Sequence, residues 1–339
     1  MIRTSTSAPK GPSAHPAQPY AGLDPKTVLE AAESLGLATD GRLFQLNSYE
    51  NRVYQVGTEA GFRVLKFYRA NRWSDAQILE EHRFTAELAA AELAVAEPLR
   101  FGGQTLMTYR SFRFAAFPWM AGRAPELDLL DSRELLGRAL GRLHARGFRS
   151  DFVHRGTLGV DRFGTVPRER TLRSALLPAA LLPSFERASG ALLARIERAF
   201  DEAGALNFGR LHGDCHLGNL LWNAQGPVFV DLDDCINGPA LQDLWMLLSG
   251  SASEQRSQWE ALVRGYTQFA DFDYRELSIL EALRGLRMLH HAGWVVQRWE
   301  DPAFPRAFPW FGEQRYWEQL LRDYLEQIAQ IDMPPLLSA

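Results

Sequence analysis

The spacing of apolar residues changes once along this chain, and that change constrains the fold more than any other feature. From Leu43 to Phe117 the apolar residues come in short alternating runs, LFQL, RVYQV, FRVLKFY, TLMTY and FRFAAF, with the turn-rich NSYEN and GTEAG separating the first three. Period-two alternation between turn signals predicts antiparallel strands. Beyond Gly122 the spacing lengthens to that of helices, with Leu135, Leu136, Leu140 and Leu143 on one face and further periodic segments near 185–202, 254–268, 274–298 and 314–330. One hairpin interrupts them, NLLW and PVFVD around NAQG. The chain therefore reads as α+β in two lobes, a small five-stranded sheet lobe over residues 23–118 and a larger, mainly helical one over 122–335. With 339 residues, 46% of them hydrophobic, both lobes have material for a core.

Local signals refine this outline. Residues 1–22 are rich in Ser, Pro, Ala and Thr without periodicity and read as a flexible tail. Asp24 then offers an N-cap with Pro25 at the first helical position, Val28, Leu29, Ala32 and Leu35 follow at helical spacing, and Gly36 closes the helix. Between the third and fourth strands, Ser74 and Gln77 have the spacing of a capping box. The helix they open carries Ile78, Glu81, Thr85 and Leu88 on one face.

Composition removes several classes of function. Two cysteines, Cys215 and Cys235, cannot staple a secreted fold, and MIRTSTSAPKGPSAHPAQPY has no apolar signal-peptide core, so a cytoplasmic location is expected. No stretch approaches the ~20 apolar residues of a membrane span. His212 and His216 with the two cysteines lack the tight paired spacing of a zinc site. Of the 37 basic residues three are lysine, Lys10, Lys26 and Lys66, which leaves 34 arginines scattered among 41 acids. That scatter forms no basic stripe, so a nucleic-acid partner is not expected.

Chemistry concentrates in LHGDCHLGNLLWNAQGPVFVDLDD, residues 211–234. Asp214 and Asn219 stand five apart in a loop that opens the hairpin, and Asp231 stands at the hairpin's far end. A hairpin brings its open ends together, so Asn219 and Asp231 are expected side by side, an amide oxygen and a carboxylate able to hold a hard cation. Asp214 is left as a base. This spacing is the layout of a kinase catalytic loop and its metal-binding aspartate. Asp233 and Asp234 are further acids beside it, with Asp233 the candidate for another metal ligand, and Asp243 is expected to brace the loop through hydrogen bonds.

Lys66 adds a separate signal, because an arginine-rich chain here places a lysine inside the apolar strand VLKFY. A compact ammonium meets phosphate oxygens without the planar fork of guanidinium. Glu81 is its natural partner on the helix; Glu80, about 100° further round, is the competitor.

With these motifs the sequence resembles the stress response kinase A family, in the aminoglycoside-phosphotransferase-like branch of the protein-kinase fold. The resemblance spans residues 23–335 and is carried by NSYENRVYQV, VLKFYR, LEEHRF, FPW with a following GR, LHGDCHLGNLLW, FVDLDDCINGPALQDLWMLL and QRWEDPAFP. It implies ATP- and Mg2+-dependent phosphorylation of serine and threonine in protein substrates; a monomer is expected. Position by position, it implies Asp214 as proton acceptor, Asn219 and Asp231 as magnesium ligands, and Ser48 as a nucleotide contact in the loop over the phosphates. Lys66 and Glu81 take the ion-pair roles, and Phe117 to Met120 meets adenine around a hinge at 119–121. SYENRVY stands where ordinary protein kinases have a Gly-rich loop, which gives Ser48 more weight. A small-molecule phosphotransferase of the same fold, acting on an aminoglycoside, choline-like compound or sugar alcohol, would use the same base and metal ligands.

Overall fold

The computed structural model describes residues 19–127 and 129–337; residues 1–18 of the expected tail lie outside this range. In chain order the elements are α1 (Pro25–Glu33), β1 (Thr39–Gln45), β2 (Arg52–Thr58), β3 (Gly61–Phe67), α2 (Asp75–Ala90), β4 (Met107–Tyr109), β5 (Phe112–Pro118) and α3 (Leu130–Gly147). Then come α4 (Val166–Leu172), α5 (Leu182–Ala203), β6 (Gly209–Leu211), β7 (Leu220–Asn223), β8 (Gly226–Phe229), β9 (Ile236–Gly238), α6 (Leu241–Trp245), α7 (Ala252–Tyr266), α8 (Leu280–Arg298), α9 (Ala303–Ala307) and α10 (Gln314–Ile331).

β1 to β5 form an antiparallel sheet in the order β1-β2-β3-β5-β4, as the alternating runs predicted. Alternation along β3 sends Leu65 and Phe67 to one face, where they pack in a core with Val28, Ala31 and Ala32 of α1. The other face carries Tyr68 and Ala115 against Ile78 of α2, and Lys66 lies opposite Val53 and Ala115 in the register. The Ser74 and Gln77 capping box opens α2, and the Asp24 carboxylate caps α1 by accepting from Thr27 N at 2.7 Å. Pro19 to Gly22, grouped with the tail in the sequence reading, form a turn instead, and the Tyr20 hydroxyl donates to Glu50 O at 2.8 Å.

In the helical half Leu136, Leu140 and Leu143 are buried in one large core with Phe185, Leu192, Leu286 and Trp317. Leu135 is the exception to the predicted face, 44% exposed because it lies one residue round the helix from that stripe. α3 and α7 approach closely: a Cβ on Gly137 would stand 2.0 Å from Leu262 O, and one on Gly265 2.0 Å from Glu134 O. The hairpin β7–β8 forms where NLLW and PVFVD predicted it. A second small sheet, β6 paired with β9, holds the segments before Asp214 and after Asp231 together.

Candidate active site

A cavity of about 310 Å3 lies between the sheet and the hairpin. Its walls bring together Ser48, Lys66, Glu81, Phe117, Met120, Asn219 and Asp231, seven of the residues singled out in the sequence. Val53, Val64, Ala96, Leu221, Val230 and Leu232 supply apolar walls, and Lys66, Glu81 and Asp231 meet in one polar cluster. Apolar walls beside a charged cluster are the division of labour a nucleotide needs, the walls for a base and the charges for phosphates.

Lys66 is 5% exposed, and its Nζ lies 2.8 Å from Asp231 Oδ1, 3.0 Å from Asp233 Oδ1 and 3.5 Å from Glu81 Oε1. Burial opposes its charge, but the carboxylates of Asp231, Asp233 and Glu81 outweigh that and hold its pKa well above the usual value. Glu81 is the most distant of the three. Burial pushes its pKa up, while Lys66 and Arg155 pull against the rise. The competitor Glu80 faces away and accepts from the backbone N–H groups of Val153, His154 and Arg155 at 2.7, 2.8 and 3.0 Å.

Asp231 follows β8 in the left-handed backbone region, φ 56° and ψ 66°, with its side chain 44% exposed. A non-glycine residue held there is strained, and such strain concentrates at functional positions. Across the hairpin mouth, Val230 N donates to Asn219 O at 3.1 Å. The Asn219 amide Nδ2 donates to Asp214 O at 2.9 Å, which leaves Oδ1 as its free acceptor.

Asp214 sits in the loop between β6 and β7 and is absent from the cavity wall. Its Oδ1 accepts from Arg287 of α8 at 2.7 Å and its Oδ2 lies 3.3 Å from His216 Nε2. Burial would raise its pKa, but the hydrogen bond to His216 and the charge of Arg287 override it and keep the carboxyl far below the ordinary aspartate value. Asp243 of α6 braces the loop as expected, accepting from His212 N and Gly213 N at 2.8 Å each. Gly213 has φ 86°, and a Cβ there would meet Asp234 O at 2.2 Å, so the loop requires glycine.

Asp233 is buried away from the cavity. One oxygen faces Lys66 and the other accepts from Arg72 Nη1. Burial acts to raise its pKa, yet Lys66, Arg72 and Arg155 carry it well below the usual range. Both oxygens thus face cations, as one oxygen of Asp231 also does.

The fold and this cavity together define a two-lobe phosphotransferase of the kinase type. Residues 43–280 match the model of the phosphotransferase enzyme family. Stress response kinase A of Escherichia coli strain K12 is 44% identical over 315 residues, covering 93% of this chain and 95% of that protein. The serine/threonine protein kinase RdoA of Salmonella typhimurium has the same identity and coverage. Among solved structures, an amicoumacin kinase in complex with AMP-PNP, Ca2+ and its ligand superposes with a TM-score of 0.70 at 20% identity, covering 93% of this chain and 95% of its own. A choline/ethanolamine kinase family protein from Mesorhizobium loti gives 0.59 at 18%, covering 91% and 100%. The chain belongs to the phosphotransferase enzyme family, and within it to the stress response kinase A proteins, and is an ATP-dependent phosphotransferase.

The sequence reading missed Arg72, Arg155 and Arg287, which contact Asp233, Glu81 and Asp214. Among 34 arginines, nothing in the local pattern sets these three apart. No helix among the described residues is long and apolar enough to cross a membrane. Among the same residues no cluster of three or more His, Cys, Asp or Glu could hold a metal, and Cys215 and Cys235 are free and buried.

Proposed function

We propose that this chain transfers the γ-phosphoryl group of ATP to serine and threonine hydroxyls of protein substrates, as a cytoplasmic monomer. The observation that carries the reading is that Lys66, Asn219 and Asp231 line one largely apolar cavity, in a chain 44% identical over 93% of its length to a serine/threonine protein kinase. Phe117 to Met120, around a hinge at 119–121, would meet adenine, and Ser48 would contact the phosphates from the β1–β2 loop. Lys66 would hold phosphate oxygens while Glu81 holds Lys66.

Asn219 Oδ1 and Asp231 suit Mg2+, a hard cation that takes one or two protein oxygens and completes its shell with phosphate and water. Bound there, it would neutralise charge on the transferring group. Asp233, the further expected ligand, would join them on releasing Lys66 or Arg72. Asp214 would accept the hydroxyl proton as the acceptor oxygen bonds to the γ-phosphorus and the bond to the leaving ADP oxygen breaks. To do so it must free an oxygen from Arg287 or His216.

Arg287 also bears on the acceptor. The solved relatives are named for aminopropanol, choline or ethanolamine, and aminoglycosides, all amino compounds. Here the group bonded to the proposed base is itself cationic, which would oppose a cationic acceptor and leave a neutral peptide hydroxyl unopposed. The test is incubation with γ-labelled Mg-ATP, a generic protein substrate, and a panel of aminoglycosides, choline and sugar alcohols. Label on serine and threonine supports the reading, and label on small alcohols alone overturns it.

A further inference from the structure

Kinase activity depends on the helix that carries the lysine's glutamate being held inward, a role that activation segments perform in many protein kinases. Here the chain after Asp231 has little freedom for that. It makes a tight turn at Leu232–Asp234, pairs as β9 with β6 and enters α6 at Leu241. A different device holds α2.

Arg155, from the loop between α3 and α4, is fully buried. Its Nη2 donates to Glu81 Oε2 at 2.9 Å and its Nε to Gln77 O at 2.8 Å, both on α2. Its Nη1 reaches the segment after Asp231, donating to Asp233 O at 2.6 Å and Cys235 O at 3.2 Å. One guanidinium thus joins the helix that positions Lys66 to the segment that carries the aspartate. Glu80 closes the joint from the other side through its three bonds to backbone N–H groups of Val153, His154 and Arg155. Gln77 adds a bond from Nε2 to His154 O at 2.9 Å, and the Trp73 ring lies 4.6 Å from the Arg155 Cζ.

We propose that Arg155 is a positioning residue for phosphoryl transfer: with Glu80 it bolts α2 to the helical half, so that Glu81 and Asp231 stay on Lys66 without a separate activation step. The inference rests on the phosphotransfer reading of the cavity. The forked guanidinium is essential to it, since an ammonium cannot span α2 and the Asp233–Cys235 carbonyls at once. Glu80 matters as an anion, because an amide in its place would turn an N–H towards the backbone donors.

The experiment compares wild type with Arg155→Met, Arg155→Lys, Glu80→Gln, Glu81→Gln and the double variant Arg155→Met/Glu81→Gln. It measures kcat, KM for ATP, binding of Mg-ATP and of adenosine by calorimetry, and thermal unfolding. The expected result is a loss of kcat of roughly 10–100-fold in each single variant, the usual weight of a residue that orients a reacting group through another. Mg-ATP should bind more weakly while adenosine is unaffected. Arg155→Met and Glu81→Gln should not add, because both release the same contact. A residue that only stabilises the fold would lower the melting temperature, add to Glu81→Gln and leave the ATP-to-adenosine ratio unchanged, and that result overturns the proposal. Should Arg155→Met fail to fold, Glu80→Gln decides: wild-type kcat in that variant overturns the bolt. A wild type that neither binds Mg-ATP nor transfers phosphate would instead remove the reading beneath it.

Discussion

The two ends of the site differ in how they are held. On the sheet side, Lys66, Glu81, Asp233 and Arg155 are buried and bonded to one another, with Arg72 closing the set. At the proposed acceptor end, Asp214, His216 and Arg287 are partly exposed and meet through two contacts. A buried ion cluster loses heavily when one member is removed, because the rest are left uncompensated, whereas a solvated pair is screened and replaceable. The buried cluster, the proposed nucleotide end, is thus built to keep one geometry, and the proposed acceptor end to change partners. Asp231 stands between them, held by Lys66 yet open to the cavity.

Four changes would break or sharpen this contrast. The largest effect is expected for Asp231→Ala, which removes the carboxylate that pairs with Lys66 and is proposed to hold the metal: metal-dependent turnover should fall by ~10⁴-fold, with little change in melting temperature since the side chain is half exposed. Steady-state assays across magnesium concentrations with parallel calorimetric melts check it, and a large melting loss would place Asp231 with the buried cluster. Next comes Lys66→Met, which leaves three carboxylates facing one another. It should cost ~10²–10³-fold in turnover. It should also cost about 3–5 kcal/mol in stability, read by denaturant unfolding. A folded variant of wild-type stability would show that the cluster is not under that electrostatic tension.

Arg287→Ala should be milder, a change in turnover of less than ~10-fold, because the residue is exposed and its charge is screened. Its signature is in the pH profile. Arg287 helps hold the Asp214 carboxyl low, so without it the base protonates at higher pH and the acid limb of kcat/KM moves upward. An unmoved limb would detach Arg287 from the base.

The smallest effect concerns stability. His82 of α2 is buried as a neutral ring between the Tyr68 hydroxyl and Thr105 Oγ1, at 2.8 Å each. Burial pushes its pKa down to about 3 from an ordinary 6.5, with the charges of Lys66 and Arg155 adding to the effect. Below pH 6.5 the unfolded chain takes up a proton that the folded chain refuses until about 3. Its stabilising share is therefore complete above pH 6.5 and lost as the pH falls through that window. Asp214, with its lowered pKa, keeps its share above the usual carboxylate range and loses it only in stronger acid. Melting temperatures from pH 8 to 4 should thus fall first through the histidines, His290 included, and less steeply in His82→Asn. Equal slopes in the two proteins would remove His82 from this role.

The parts of this architecture that were legible in the sequence are those fixed by neighbours along the chain. Period-two runs located β1 to β5, the Ser74 and Gln77 pair located the start of α2, and NAQG between two apolar runs located the β7–β8 hairpin. The β6–β9 pair was not legible, since three residues per strand carry no period and their pairing spans 25 residues or more. α4 escaped because VPRERTL is short and polar. At the site, Lys66 and Asp214 could be found because a lysine in this chain and an aspartate in HGDCHLGN are locally distinctive. Arg155 could not, because its meaning comes from α2 and the Asp233–Cys235 carbonyls meeting it in space. In the aromatic segment from Trp299, Phe304 and Phe311 are buried. Its Asp301 also reaches across to Arg52 and Arg69 near the sheet, a link that only the folded arrangement shows.

The most direct test of the account is single-turnover phosphoryl transfer from Mg-ATP by wild type and Asp214→Asn, with nucleotide affinity measured on the same samples. A rate lower by ~10²–10⁴-fold with affinity unchanged is the expected result, since the role proposed for Asp214 is to take the acceptor's proton and it does not line the cavity. An unchanged rate, or a loss confined to nucleotide binding, would contradict it.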